Sequence, residues 1–115
     1  MDKRKIYISL PITGQEDVAP VVAGYVKECL QKKFPLAEVI SPFDVCPGQP
    51  VSYAYAMGRD IETLLVCDAV YFVPGWRKSK GCRLERHAAL LYNKHIVPSA
   101  ILPLGELRRY VRKLS

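Results

Sequence analysis

The chain has 115 residues, half of them apolar and 24% charged, and 17 Lys and Arg against 11 Asp and Glu give it a formal charge of +6. So much apolar content at so modest a charge excludes intrinsic disorder, and the length points to a single domain over 1–115. The longest uncharged apolar runs, 64–67 and 69–74, fall far short of the ~18 residues of a membrane span. The basic start over 1–5 leads straight into a strand-like segment rather than the apolar core of a secretory signal, so a cytoplasmic protein is expected.

Residues 5–10 (KIYISL) are β-branched, aromatic and almost wholly apolar, as in a buried parallel strand, and Pro11 and Gly14 turn the chain after it. From Asp17 onward Val18, Val21, Val22, Tyr25, Val26, Cys29 and Leu30 recur at helical spacing. Asp17 is the expected cap, Pro20 fits the first turn, and Lys32 and Lys33 precede a stop at Pro35. Residues 38–41 read as a second short strand, and 43–51, rich in Pro and Gly, as a loop. Ser52 caps a helix over 52–66 that turns Ala54, Met57, Ile61, Leu64 and Leu65 inward. Asp68 opens the clearest strand, 68–73, which Pro74, Gly75 and Trp76 end. A third helix follows Gly81 with Leu84, Ala88 and Leu91 on one face, and 95–97 is a further strand. A last helix from about Leu104 carries Leu107, Val111 and Leu114 on one side and Arg108, Arg109, Arg112 and Lys113 on the other.

Strands alternating with helices of this length make βαβ units, hence an α/β fold with a parallel sheet of four to five strands between two helical layers. Ligands bind such sheets beyond the carboxyl ends of the strands, where 10–14, 43–49 and 74–81 converge. Four separate cysteines and two histidines, with no CxxC pair, argue for reduced thiols and against a zinc site. Cys82 reads either as a packed small residue or as a reactive thiol.

The loop over 74–81 holds two glycines, a serine and three cations ahead of a helix, so it is either an anion cradle or a solvated basic turn. It is not a Walker A loop, because the G-x-x-x-x-G-K-[ST] spacing is absent. Glu85 lies in the first two turns of the third helix, where the dipole favours the carboxylate and suits a nucleophile; an ordinary helix-start glutamate fits the spacing too. Asp68, in an apolar run, either needs a partner or faces solvent at the end of a helix. Asp60 and Glu62 sit on the polar face of the second helix. His87 is turned about 200° from Glu85 and cannot partner it directly. Tyr53 and Tyr55 suit either the core or a stacked base. The basic last helix suits solvent better than nucleic acid, having no aromatic platform beside it.

IYISLPITG over 6–14, Asp60, CDA over 67–69 and GWRKSKGCRLE over 75–85 resemble, in order and spacing, the nucleoside 2-deoxyribosyltransferase superfamily, in particular a small bacterial and phage branch. The similarity covers 5 to about 98, and deoxynucleoside 5'-monophosphate N-hydrolases are further relatives. It implies a flavodoxin/Rossmann-like three-layer sandwich, a homodimer or higher homo-oligomer, a deoxynucleoside or deoxynucleotide substrate, and no cofactor or metal. In such enzymes a glutamate attacks C1' and forms a covalent deoxyribosyl-enzyme. Glu85 matches that glutamate, Asp68 the aspartate that protonates the leaving base, and Tyr7 a tyrosine near the nucleophile. Asp68 is then expected across a gap of roughly 5–9 Å from Glu85. Ser79 matches a phosphate-binding serine and Gly81 a glycine of the same loop. Pro11, Gly14, Asp60, Trp76, Arg77 and Lys80 complete the expected substrate contacts. Leu10, Arg83 and His87 depart from the family, the first two replacing glycines and the third a small residue, which implies a tighter, more cationic pocket. The alternative reading is a non-catalytic nucleotide-binding or sensing module on the same fold.

Overall fold

Four short parallel strands form one sheet in the order β2-β1-β3-β4: β1 (Lys5–Ser9), β2 (Glu38–Ile40), β3 (Ala69–Phe72) and β4 (His95–Val97). The computed structural model describes residues 4–46, 50–103, 105 and 109, so the expected last helix lies almost wholly outside the described residues. Side chains alternate across the pleat. Ile6 and Ile8 of β1 with Tyr71 of β3 face α1 (Ala19–Lys33), whose Val22, Val26 and Leu30 complete that core. Tyr7, Val70 and Phe72 face the other way, toward Leu64 of α3 (Tyr53–Leu65) and Ala89 of α4 (Lys80–Leu91). The α/β three-layer sandwich is thus the one expected, with four strands.

Two helix starts differ from expectation. Asp17 does not cap α1; Val18 is the N-cap and no side chain serves. The amides of Val18 and Ala19 instead donate to the carbonyl of Gln15 at 3.1 and 2.9 Å, so a tight turn satisfies orphan donors that a cap would have taken. The expected loop over 43–51 begins as a one-turn helix, α2 (Pro42–Val45). Ser41 and Asp44 form a reciprocal capping box there, and Asp44 also pairs with Lys27 of α1 at 2.8 Å.

The passage from β3 into α4 shapes the site. Gly75 takes φ +100°, a conformation that a side chain rarely adopts, and lets the chain turn through a single 3₁₀ turn, Trp76–Lys78. Ser79 then caps α4 by accepting from the amide of Cys82 at 3.2 Å. Gly81 lies against α3, where a Cβ would stand 3.3 Å from both Met57 Sδ and Tyr53 Oη. Its small size allows the two helices to meet beside the sheet.

Candidate active site

β1 and β3 are central neighbours whose following helices lie on opposite faces, so the sheet has its switch point between them. A cleft of about 790 Å³ opens there, at the carboxyl edge. Residues 10–13 after β1 form one wall; Tyr53, Met57 and Asp60 of α3 form another; 73–75 and 78–82 lead into α4, and Glu85 lies at its base.

Glu85 is the best-defined side chain of the cleft. It is 3% exposed on the inner face of α4, against a strand whose i, i+2 residues point at it. The Tyr7 hydroxyl donates to Glu85 Oε2 at 2.7 Å and the Ser9 hydroxyl to Oε1 at 2.6 Å. Burial pushes the Glu85 carboxyl up to about 7, against the lowering effect of the Ser9 and Tyr7 hydrogen bonds, and the nearby Asp60 adds to the rise. Burial thus works against the ionised form that the helix dipole is expected to favour, while the two hydroxyls work for it. Burial and Glu85 also hold the Tyr7 hydroxyl well above its ordinary value, so Tyr7 is a neutral donor behind the carboxylate.

Asp60 is the second carboxyl of the cleft. It is half-buried on α3, and burial pushes it up to about 7. Burial thus raises both carboxyls of the cleft, and Asp60 lies close enough to add to the rise of Glu85. Cys82 is buried in the lining of the cleft near Ser9, Ser79 and Glu85, and burial pushes its thiol up.

Asp68 lies elsewhere. It is exposed at the amino edge of the sheet, where its Oδ2 accepts from the backbone amide of Lys5 at 2.8 Å. Its own amide donates to the Lys5 carbonyl and its carbonyl accepts from His95, so it ties the starts of β1, β3 and β4 together. From Lys5 to Ser9 is four strand residues, or about 13 Å, and Ser9 is where Glu85 sits. Asp68 cannot face Glu85 across the expected gap.

Of the other residues expected in the site, Pro11, Ser79, Lys80 and Gly81 line the cleft with Asp60 and Glu85. Trp76 and Arg77 do not. The Trp76 ring packs on Phe72 at 5.6 Å between centroids, and the guanidinium groups of Arg77 and Arg86 lie over it at 4.9 and 5.0 Å. Gly14 has φ +82° and its amide donates to Glu16, outside the cleft wall. Sequence reasoning missed Ser9, although a hydroxyl two residues after Tyr7 in an apolar strand was the available signal. Met57, expected in the core, also lines the cleft. Among the described residues no three His, Cys, Asp or Glu side chains converge as a metal site, and no helix is long and apolar enough to cross a membrane.

Fold and cleft together define a small doubly wound α/β protein with a cleft at its switch point. The profile of the family described as "Domain of unknown function (DUF4406)" matches residues 4–98, and the chain belongs to that family. Among solved structures it is similar to a "2-desoxiribosyltransferase from Leishmania mexicana", at 18% identity and a TM-score of 0.63. The match covers 82% of this chain and 62% of that one, so this chain spans less than two thirds of that protein. At that identity the likeness establishes the fold. No curated protein matches the sequence.

Proposed function

We propose that the cleft cleaves or transfers the N-glycosidic bond of 2'-deoxyribonucleosides or their 5'-monophosphates. The observation that carries this reading is the buried Glu85, held by Tyr7 and Ser9 and sharing its cleft with Asp60. One carboxyl that attacks and one that gives a proton are what a retaining glycosidic mechanism needs. A Glu85 oxygen forms a bond to C1' while the C1'–N bond breaks, and its electron pair leaves on the base, which takes the proton of Asp60. Water or a second base, losing a proton to Asp60, then attacks C1' and frees Glu85 as carboxylate. Asp60 replaces Asp68 as the proposed acid because it lines the cleft and Asp68 does not.

Lys78, Ser79 and Lys80, at the entry to α4, supply charge and a hydroxyl for a 5'-phosphate, while Tyr53 and Met57 offer an apolar wall for the base. The cleft is open at α3, whose Tyr53 and Tyr55 are exposed, and a second copy of the chain docking on α3 would enclose it. A monomer by light scattering at micromolar concentration would refute that assembly. The catalytic reading is tested by a chromatographic screen of deoxynucleosides and their monophosphates, with and without a second free base. Base release is expected. Tight binding of a monophosphate with no release from any candidate would replace the enzyme with a nucleotide-binding module.

A further inference from the structure

The geometry points to Ser9 as a positioning residue for Glu85, whose hydroxyl fixes the second carboxylate oxygen and with it the plane in which the carboxylate meets the sugar. The inference rests on the catalytic reading of Glu85, but its structural half can be tested without turnover. Ser9 is 0% exposed at the end of β1, on the face where Tyr7, Val70, Phe72 and Leu64 make an apolar core. A hydroxyl there loses its water and needs a partner, while an alanine would fill the place without that demand. Its partner is Glu85 Oε1, at 2.6 Å, the short distance of a hydroxyl bonded to a charged acceptor.

The arrangement uses strand geometry. Tyr7 and Ser9 stand two residues apart on one face, so a long donor and a short one reach the two oxygens of the same group. One donor would leave the carboxylate free to rotate about its last bond; two hold it. That last torsion is otherwise broad and poorly defined, and a small misalignment at the attacking oxygen is expensive in rate. The titratable groups facing Glu85 are Tyr7 on β1, Asp60 on α3 and Cys82 on α4. Of the two hydroxyls, Ser9 has the larger lowering effect on Glu85, so it also keeps more of the nucleophile ionised near neutrality.

Carbon-detected NMR titration of the Glu85 carboxyl is the direct test. In Ser9→Ala the midpoint of Glu85 should rise by about one pH unit, because a donor to the ionised form is gone. Ser9→Thr, which keeps the hydroxyl, should stay close to the wild type. In turnover, Ser9→Ala should move the acidic limb of kcat/KM up by the same amount and lower kcat about tenfold, with KM nearly unchanged. In the wild-type protein itself, the Ser9 Cβ resonance should titrate with the Glu85 midpoint, a measurement that needs no variant. An unmoved Glu85 midpoint in folded Ser9→Ala, or a Ser9 Cβ blind to Glu85, would overturn the assignment. A wild type that releases no base but shows both NMR effects would sink the glycosidic reading and leave the positioning intact.

Discussion

The two edges of the sheet treat an acidic side chain in opposite ways. At the amino edge Asp68 is exposed and caps the first amide of β1. At the carboxyl edge Glu85 is buried, is gripped by two side-chain hydroxyls, and stands beside a second half-buried carboxyl. Asp68 satisfies backbone groups that every parallel sheet must satisfy somewhere. Glu85 satisfies nothing in the backbone, and its burial is unfavourable in the ionised form. A carboxyl kept in so costly a place, with its donors arranged around it, is what the proposed catalytic role of Glu85 rests on.

The contrast is sharpest in turnover. Glu85→Ala should lower base release by on the order of a thousandfold or more, the usual loss for a nucleophile. A 2-fluoro-2-deoxyribosyl substrate should leave its sugar on Glu85, as read by intact mass and peptide mapping. A label on any other residue, or near-normal release by Glu85→Ala, would remove Glu85 from the chemistry.

The second comparison is between the two aspartates. Asp60→Asn should lower kcat by about 10²–10⁴, the worth of a positioned acid. Asp68→Asn should leave kcat within about threefold and act on stability instead, because an amide oxygen is a weaker acceptor for the Lys5 amide. Measuring kcat and Tm on both variants decides it. A large kcat loss in Asp68→Asn with wild-type Tm would return that residue to the reaction.

This pair shows what was legible in the sequence. The βαβ order, the switch-point loops and the place of Glu85 all follow from periodicity and from the resemblance over 75–85, since a helix after β3 must bring its first turns to the carboxyl edge. The place of Asp68 is legible too: a residue that opens a strand of a parallel sheet stands at the amino edge, whatever its neighbours' polarity, which conflicts with the expectation that it reaches Glu85. The burial of Asp60 could not be read so directly. It arises because α3 closes on α4 across Gly81, a tertiary contact that the pattern of α3 alone does not encode. Ser41 and Asp44 are a readable capping box that straddles the end of the expected second strand and the start of the expected loop.

Stability against pH probes the same contrast without any substrate. In the unfolded chain Glu85 gives up its proton near 4.5, and in the folded protein near 7. Between those values the native state holds the extra proton, so this stabilising contribution is complete below pH 4.5 and is lost as the pH rises through about 7. The loss is on the order of 3 kcal/mol. Glu85→Gln should lessen the fall in urea-unfolding stability over that window, and the part that remains belongs to Asp60, whose carboxyl is likewise raised to about 7. A wild type equally stable at pH 5 and pH 8 would contradict the burial of an ionisable Glu85.

The smallest effect belongs to the rim of the cleft, where Ser79 both caps α4 and borders the proposed phosphate site. The two roles can be separated. Loss of the cap costs about 1 kcal/mol of stability whatever the ligand. Loss of a charge-assisted hydrogen bond to a phosphate costs about 1.5–3 kcal/mol of affinity, and only where a phosphate is present. Ser79→Ala should therefore weaken binding of a deoxynucleoside 5'-monophosphate roughly tenfold or more while leaving the bare deoxynucleoside within about twofold. Ser79→Asp would keep a capping oxygen but set a negative charge against the phosphate, so it should restore Tm and weaken the monophosphate further. Calorimetric titration of both ligands into the three proteins reads these outcomes. Equal losses for nucleoside and monophosphate in Ser79→Ala would make Ser79 a cap alone, and would move the phosphate away from the α4 terminus.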